Sequence, residues 1–305
     1  MLQQLRQRFS VERLGRPVAT AVPMLWLLLF FLVPFLIVLK ISFSEVLMAM
    51  PPYAPMFEWS HDMMLAIKLH LANYHFLFTD PLYLDSFFYS IKVATVSTLV
   101  CLLLGYPMAL AIARATATRR SVLLMLVILP FWTSFLLRIY AWIGLLKDDG
   151  LINNALLALH LIHSPIQMAN TSFAVYIGIV YSYLPFMVLP LYANLEKHDA
   201  TLLEAAADLG AAPWKAFVRI TLPLSIPGVV AGAMLVFIPA VGEYVIPTLL
   251  GSANQLMIGR VLSDEFFENR DWPVASAVAI LILIVLLGPI VIFQRSRSRE
   301  LGADA

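Results

Sequence analysis

Two ionisable side chains, Arg138 and Glu243, lie inside long apolar runs, and a third, Glu204, opens a polar island between two such runs. A charge near the centre of a bilayer-spanning helix costs about 2.5–3.5 kcal/mol on insertion scales, so the first two need compensation. Two accounts compete. In one, Glu243 and Arg138 pair with each other or with a neighbouring subunit, or the long arginine reaches outward to the interface. In the other, Glu243 faces a path through the membrane and holds a positive charge in transit. Tyr244, Trp132, Tyr140 and Trp142 stand close to these charges in sequence and offer π faces to a cation. The same aromatics also suit a membrane-interface belt.

The island has a different chemistry. Thr201 and Glu204 have the spacing of a capping box, in which each side chain satisfies a free backbone N–H of the other end. Ala205, Ala206 and Ala207 favour helix, Gly210 suits the end of that helix, and Pro213 suits the first turn of the next. The expectation is a short helix, a turn and a second helix, with small residues that let another surface come close.

No reaction centre accompanies these features. The six histidines show no ligand spacing with a cysteine or a carboxylate pair, and the single cysteine, Cys101, sits in an apolar run as a packing residue. No Gly-rich phosphate loop and no nucleophile–base set is present, so no catalytic residue, metal or bound cofactor is expected.

The elements that must position these residues follow from composition. The chain is 61% hydrophobic and 13% charged with a mean hydropathy of +0.85, which marks a polytopic membrane protein. A net charge of +1 gives no sign of a nucleic-acid partner. With about 20 apolar residues per span, the chain divides into six: roughly 20–43, 87–113, 121–146, 172–193, 229–250 and 274–293. The first has a basic lead-in like a signal, but its core is long enough to span and no A-x-A-like cleavage site follows, so it is read as a retained helix. Arg6, Arg8, Arg13 and Arg16, then Arg114, Arg119 and Arg120, then Lys197, Lys215 and Arg219, then Arg295, Arg297 and Arg299 all fall on one side when six spans alternate. By the positive-inside rule that side is the cytoplasm, and both termini lie there. The opposite loops are acidic and aromatic, with Glu45, Glu58 and Asp80 in one and Asp264, Glu265 and Asp271 in another. Pro107, Pro130, Pro185, Pro190, Pro239 and Pro247 interrupt the spans and point to kinked helices around a cavity.

Glu204-Ala205-Ala206, then Gly210, then Ile220 with Leu222-Pro223, resembles the full EAA motif of ABC-importer permeases. The stretches 129–146, 176–192, 239–251 and 258–277 are similar to the polyamine branch of that family, nearest the first permease subunit of bacterial putrescine importers. The resemblance covers nearly the whole chain. It implies an all-α permease fold of the type I importers: a cytoplasmic tail (1–19), a first transmembrane helix (20–43), a periplasmic loop (44–85), a permease domain (86–293) with its EAA loop at 194–228, and a cytoplasmic tail (294–305). It implies a bacterial inner-membrane location and coupling to ATPases through Glu204, Ala205, Ala206, Gly210, Ile220 and Pro223. The implied partners are a second related permease, two ATPase subunits that use ATP and magnesium, a periplasmic polyamine-binding protein and the lipid bilayer. The implied cargo is putrescine, with spermidine or another small solute as the alternative. A self-sufficient secondary transporter explains the spans but not the EAA motif.

Overall fold

The structure, a computed structural model, describes residues 20–55, 57–59, 65–67 and 69–303. The described residues fall into two compact units, one within 1–79 and 265–281 and the other within 80–264 and 282–305.

The smaller unit carries helix α1, Thr20–Ser42, with a π turn at Leu28–Leu32. Its residues are exposed through Pro34, as expected of a helix whose solvent is lipid. Helix α2, Ala72–Thr79, closes its far end: Asn73 donates to the Ser42 and Ser44 carbonyls at 3.0 and 2.8 Å, and Tyr74 bonds Ser42 at 2.8 Å. Between them lies a two-stranded antiparallel hairpin, β1 Phe57–Trp59 and β2 Leu65–Ile67. The all-helical expectation therefore holds outside this loop, where Pro51, Pro52 and Pro55 withhold helix-forming N–H groups.

The larger unit is built on three long helices: α3 Pro81–Ala113, α7 Ser172–Leu195 and α9 Pro213–Val241. Ser90, Ala94, Gly105, Gly178, Ser182, Gly228 and Gly232 are buried along them, so small residues let the backbones approach closely. One core cluster gathers Val93, Ile139, Ile179, Ile246 and Met257. A second gathers Cys101, Ile112, Met187 and Leu191, so Cys101 is indeed a packing residue.

The third expected span, 121–146, is not one straight helix. α4, Ala117–Ile128, runs into a 3-10 turn at Leu129–Trp132, and α5, Phe135–Leu146, leaves at 90°. Pro130 starts the break because it has no N–H to give, and Thr133 bonds back to the Pro130 carbonyl at 2.8 Å, ending the turn. Helix α6, Leu151–Ala158, follows.

The fifth expected span, 229–250, is also divided. α9 stops at Val241, and α10, Val245–Leu250, resumes after Gly242, Glu243 and Tyr244. A continuous helix would drive the Pro247 ring into the Glu243 carbonyl, so the chain breaks there. The island between α7 and α9 contains α8, Thr201–Asp208. Beyond α10 come α11, Ile258–Phe267, and α12, Trp272–Ala303, whose apolar part ends at Gly288 and is shorter than the other spans. Among the described residues four helices, α1, α3, α7 and α9, are long and apolar enough to cross a membrane, and the bent α4–α5–α6 run makes a fifth.

Candidate functional site

Glu243 sits in the break between α9 and α10 and is 8% exposed. Its Oε1 accepts from the N–H groups of Val245 at 3.1 Å and Ile246 at 3.3 Å, so the carboxylate caps α10. Its Oε2 accepts from the Tyr183 hydroxyl at 2.5 Å. The backbone is fixed from behind as well. A Cβ on Gly259 in α11 would stand 2.3 Å from the Gly242 carbonyl oxygen and 2.8 Å from that of Glu243, so only glycine lets α11 pack here.

Glu243 lines an open cavity of about 480 Å³ together with Tyr244, Arg138, Ser182, Tyr183 and the aromatic rings of Phe131, Phe135 and Phe186. Arg138 belongs to the first turn of α5, just past the 90° bend. Its guanidinium lies over Phe131 at 5.4 Å and Phe135 at 5.7 Å. Arg138 and Glu243 form no ion pair, and the arginine Nε and Nη1 are buried without a hydrogen-bond partner among the described residues. Leaving such donors unmade costs about 1–3 kcal/mol each, so this arrangement is held by its surroundings rather than by its own bonds.

Of the aromatics singled out from sequence, Tyr244 reaches the cavity wall. Trp132 and Tyr140 are exposed, at 72% and 56%, and Trp142 packs edge-on against Tyr181 at 5.5 Å in the core. The cavity takes its rings from Phe131, Phe135, Tyr183 and Phe186 instead. A signal for them exists in the sequence: Phe135 and Arg138, and Tyr183 and Phe186, are i,i+3 pairs that share a helix face.

At the other station, the island folds as two helices around a tight turn. The capping box does not form. Thr201 is the first residue of α8, and its N–H is taken at 3.0 Å by the Asp199 side chain, two residues earlier. That bond holds the Asp199 carboxyl below the usual carboxylate range. Glu204 is exposed and makes no side-chain bond among the described residues. The end of α8 is a Schellman turn: Gly210 donates to the Ala207 carbonyl at 2.8 Å and Ala211 to the Ala206 carbonyl at 2.9 Å. Gly210 has φ +74°, and open space surrounds the position of a Cβ, so its requirement is conformational.

Ala206 is buried, Ala205 and Pro223 are exposed, and Ile220 is half-buried beside a cavity of about 270 Å³ under Leu202 and Leu203. Leu209 and Trp214 stand out at 89% and 65% exposure. Nearby, Arg120 joins three helix ends: it pairs with Glu196 at 2.5 Å and donates to the Ala113 and Ala115 carbonyls at 3.2 and 3.4 Å.

Comparison with known proteins agrees with this architecture. Residues 101–295 match the family described as binding-protein-dependent transport system inner membrane component. The chain is similar to the spermidine/putrescine transport system permease protein PotB of Haemophilus influenzae, 39% identical over 279 residues, 92% of this chain and 93% of that one. It is 40% identical over 273 residues to PotB of Escherichia coli, covering 89% and 94% of the two chains. Among solved structures, a chain of a bacterial alginate ABC transporter in complex with an alginate pentasaccharide-bound periplasmic protein superposes with a TM-score of 0.72 at 16% identity, over 96% of this chain and 98% of that one.

Proposed function

The chain belongs to the inner-membrane components of binding-protein-dependent transport systems, and on that premise we propose that it is a polyamine-importing permease subunit, carrying spermidine and putrescine. The observation that carries the cargo is the identity of about 40% to spermidine/putrescine permeases along nine-tenths of the chain. Those relatives serve both cargoes by name, so the reading covers both diamine and triamine rather than putrescine alone.

The chemistry of the cavity supports this reading. An alkyl polyammonium wants a carboxylate and π faces in a water-poor setting, and Glu243, Tyr244, Tyr183 and Phe186 offer that set around one cavity. Glu243 is the proposed cargo carboxylate. Tyr140, Trp142 and Trp132 remain candidates for path residues in the assembled importer.

The island is the proposed coupling element. It presents Glu204, Ala205, Leu209 and Trp214 to the outside, and Lys215 lies over the Trp214 ring at 5.7 Å. Two ATPase subunits would seat on it from the cytoplasm, with a second permease alongside and a periplasmic polyamine-binding protein on the opposite face. Both termini would then be cytoplasmic, in the orientation given by the basic loops. Closure of the ATPases would move α8 and the start of α9, and cargo would be released as the cavity changes sides.

The test is uptake in proteoliposomes holding the complete importer with its binding protein. ATP-dependent accumulation of labelled spermidine and putrescine is expected, and none without the ATPases. Accumulation of neither, by an assembled and ATP-hydrolysing complex, would sink the cargo assignment.

A further inference from the structure

Arg138 and Glu243 carry opposite charges around one cavity and form no ion pair, each held by neutral groups. Glu243 is held by Tyr183 and two backbone N–H groups. Arg138 is held by the faces of two phenylalanines, with Nε and Nη1 unbonded. Ser182, 4% exposed, lines the same cavity, and its Oγ also has no partner. The cavity thus keeps spare donors and acceptors together with a separated charge pair.

Such a pair attracts strongly in a low-dielectric setting. A carboxylate offers about four acceptor sites, and Glu243 uses three within the chain, so one is left for a cation. Both charges are also mounted at helix interruptions. Arg138 follows the 90° bend between α4 and α5, and Glu243 occupies the gap between α9 and α10. Small backbone changes at those points alter their separation without unfolding a helix.

We infer that Arg138 is a tethered competitor of the cationic cargo. In the empty path its guanidinium closes onto Glu243, and in the separated state described above Glu243 is released for an incoming ammonium group. This rests on reading Glu243 as the cargo carboxylate. Arg138 thereby sets specificity. Only a cargo whose ammonium groups bind the cavity better than the resident guanidinium displaces it, and an empty path presents no bare carboxylate to small cations.

The consequence is measurable. Apparent affinity falls by the fraction of time the site is competent, so a resident cation that occupies Glu243 about nine-tenths of the time weakens cargo binding about tenfold. The membrane complex of both permeases and the ATPases, without binding protein, is titrated with labelled spermidine in nanodiscs. Arg138→Met is expected to bind about tenfold tighter than the wild type, by that same fraction. Arg138→Lys should stay close to the wild type, and Arg138→Met should have no effect once Glu243→Gln is in place. A purely structural arginine would give the reverse, weaker binding not restored by lysine, and that result overturns the inference, as does unchanged binding. Where Arg138→Met does not assemble, Arg138→Gln carries the same expectations.

A cargo-free readout separates this inference from the cargo assignment. The infrared difference between wild type and Arg138→Met, without polyamine, should contain a carboxylate band that disappears in the Glu243→Gln background. Absence of that band excludes the paired state whatever the importer carries. Failure of the wild type to accumulate polyamine bears on the cargo assignment alone.

Discussion

At the cavity, Glu243 is 8% exposed and gives its oxygens to Tyr183, Val245 and Ile246. At the island, Glu204 is exposed and gives its oxygens to nothing among the described residues. Both are acidic residues beside the start of a short helix, yet they answer different demands. A buried carboxylate must be bonded within the fold, because water is not there to do it. An exposed one at the rim is hydrated and makes no such demand on the fold. Where the chain meets a residue's bonding capacity itself, the residue reports on architecture. Where it leaves that capacity open, the residue is available to the partner proposed above.

That contrast predicts a gradient of stability effects, largest at the cavity and smallest at the rim, readable as thermal unfolding of the purified chain in detergent. Glu243→Ala strands the Tyr183 hydroxyl and two N–H groups and should cost about 3 kcal/mol, whereas Glu243→Gln, which keeps an acceptor, should recover most of it. A neutral Glu243→Ala would break the contrast at its strong end. Gly259→Ala forces α11 away from the Gly242 carbonyl, an overpacking that should cost about 2 kcal/mol. Next comes Gly210→Ala, about 1 kcal/mol, since only the backbone at φ +74° objects.

Acid should act more weakly still. The Asp199 carboxyl titrates below its ordinary value because its ionised form accepts from Thr201. A lowered folded value means that the bond stabilises the folded state above the unfolded value near 3.8 and is lost as pH falls through the folded one. Asp199→Asn should remove that acid dependence from the unfolding of the α8 region, followed by hydrogen exchange. At the weak end, Glu204→Lys should leave unfolding within about 0.5 kcal/mol while abolishing co-purification of the ATPases. A large stability loss there would show that Glu204 serves the fold after all.

Much of the architecture was legible in the sequence, because a span must be long and apolar whatever its neighbours do. The turn at Gly210 and the helix start at Pro213 were legible for the same reason: each is a local backbone requirement. The breaks within 121–146 and 229–250 were harder. Pro130 and Pro247 advertise a lost hydrogen bond, but a proline in a span can kink a helix or end it, and neighbouring packing decides which. The cap of α8 passed from Thr201 to Asp199 because the helix starts one residue earlier than the capping box needs. The rings that line the cavity were missed because face assignment depends on where each helix begins. Once α5 starts at Phe135, Arg138 turns toward Phe131 and Phe135, and Trp132 falls on the outside.

Helix α9 begins inside the island, at Pro213, and ends at Val241, two residues before Glu243. Its 29 residues make a shaft about 43 Å long at 1.5 Å per residue. A tilt of about 5° at the Pro213 end would sweep the Glu243 end through about 4 Å, as much as separates a salt bridge from two strangers. The π turn at Phe217–Thr221 and the prolines at 227 and 239 are then the compliance of that shaft. In the proposed coupling they would fix how much of a movement at the island arrives at the carboxylate and how much is taken up as lost motion on the way.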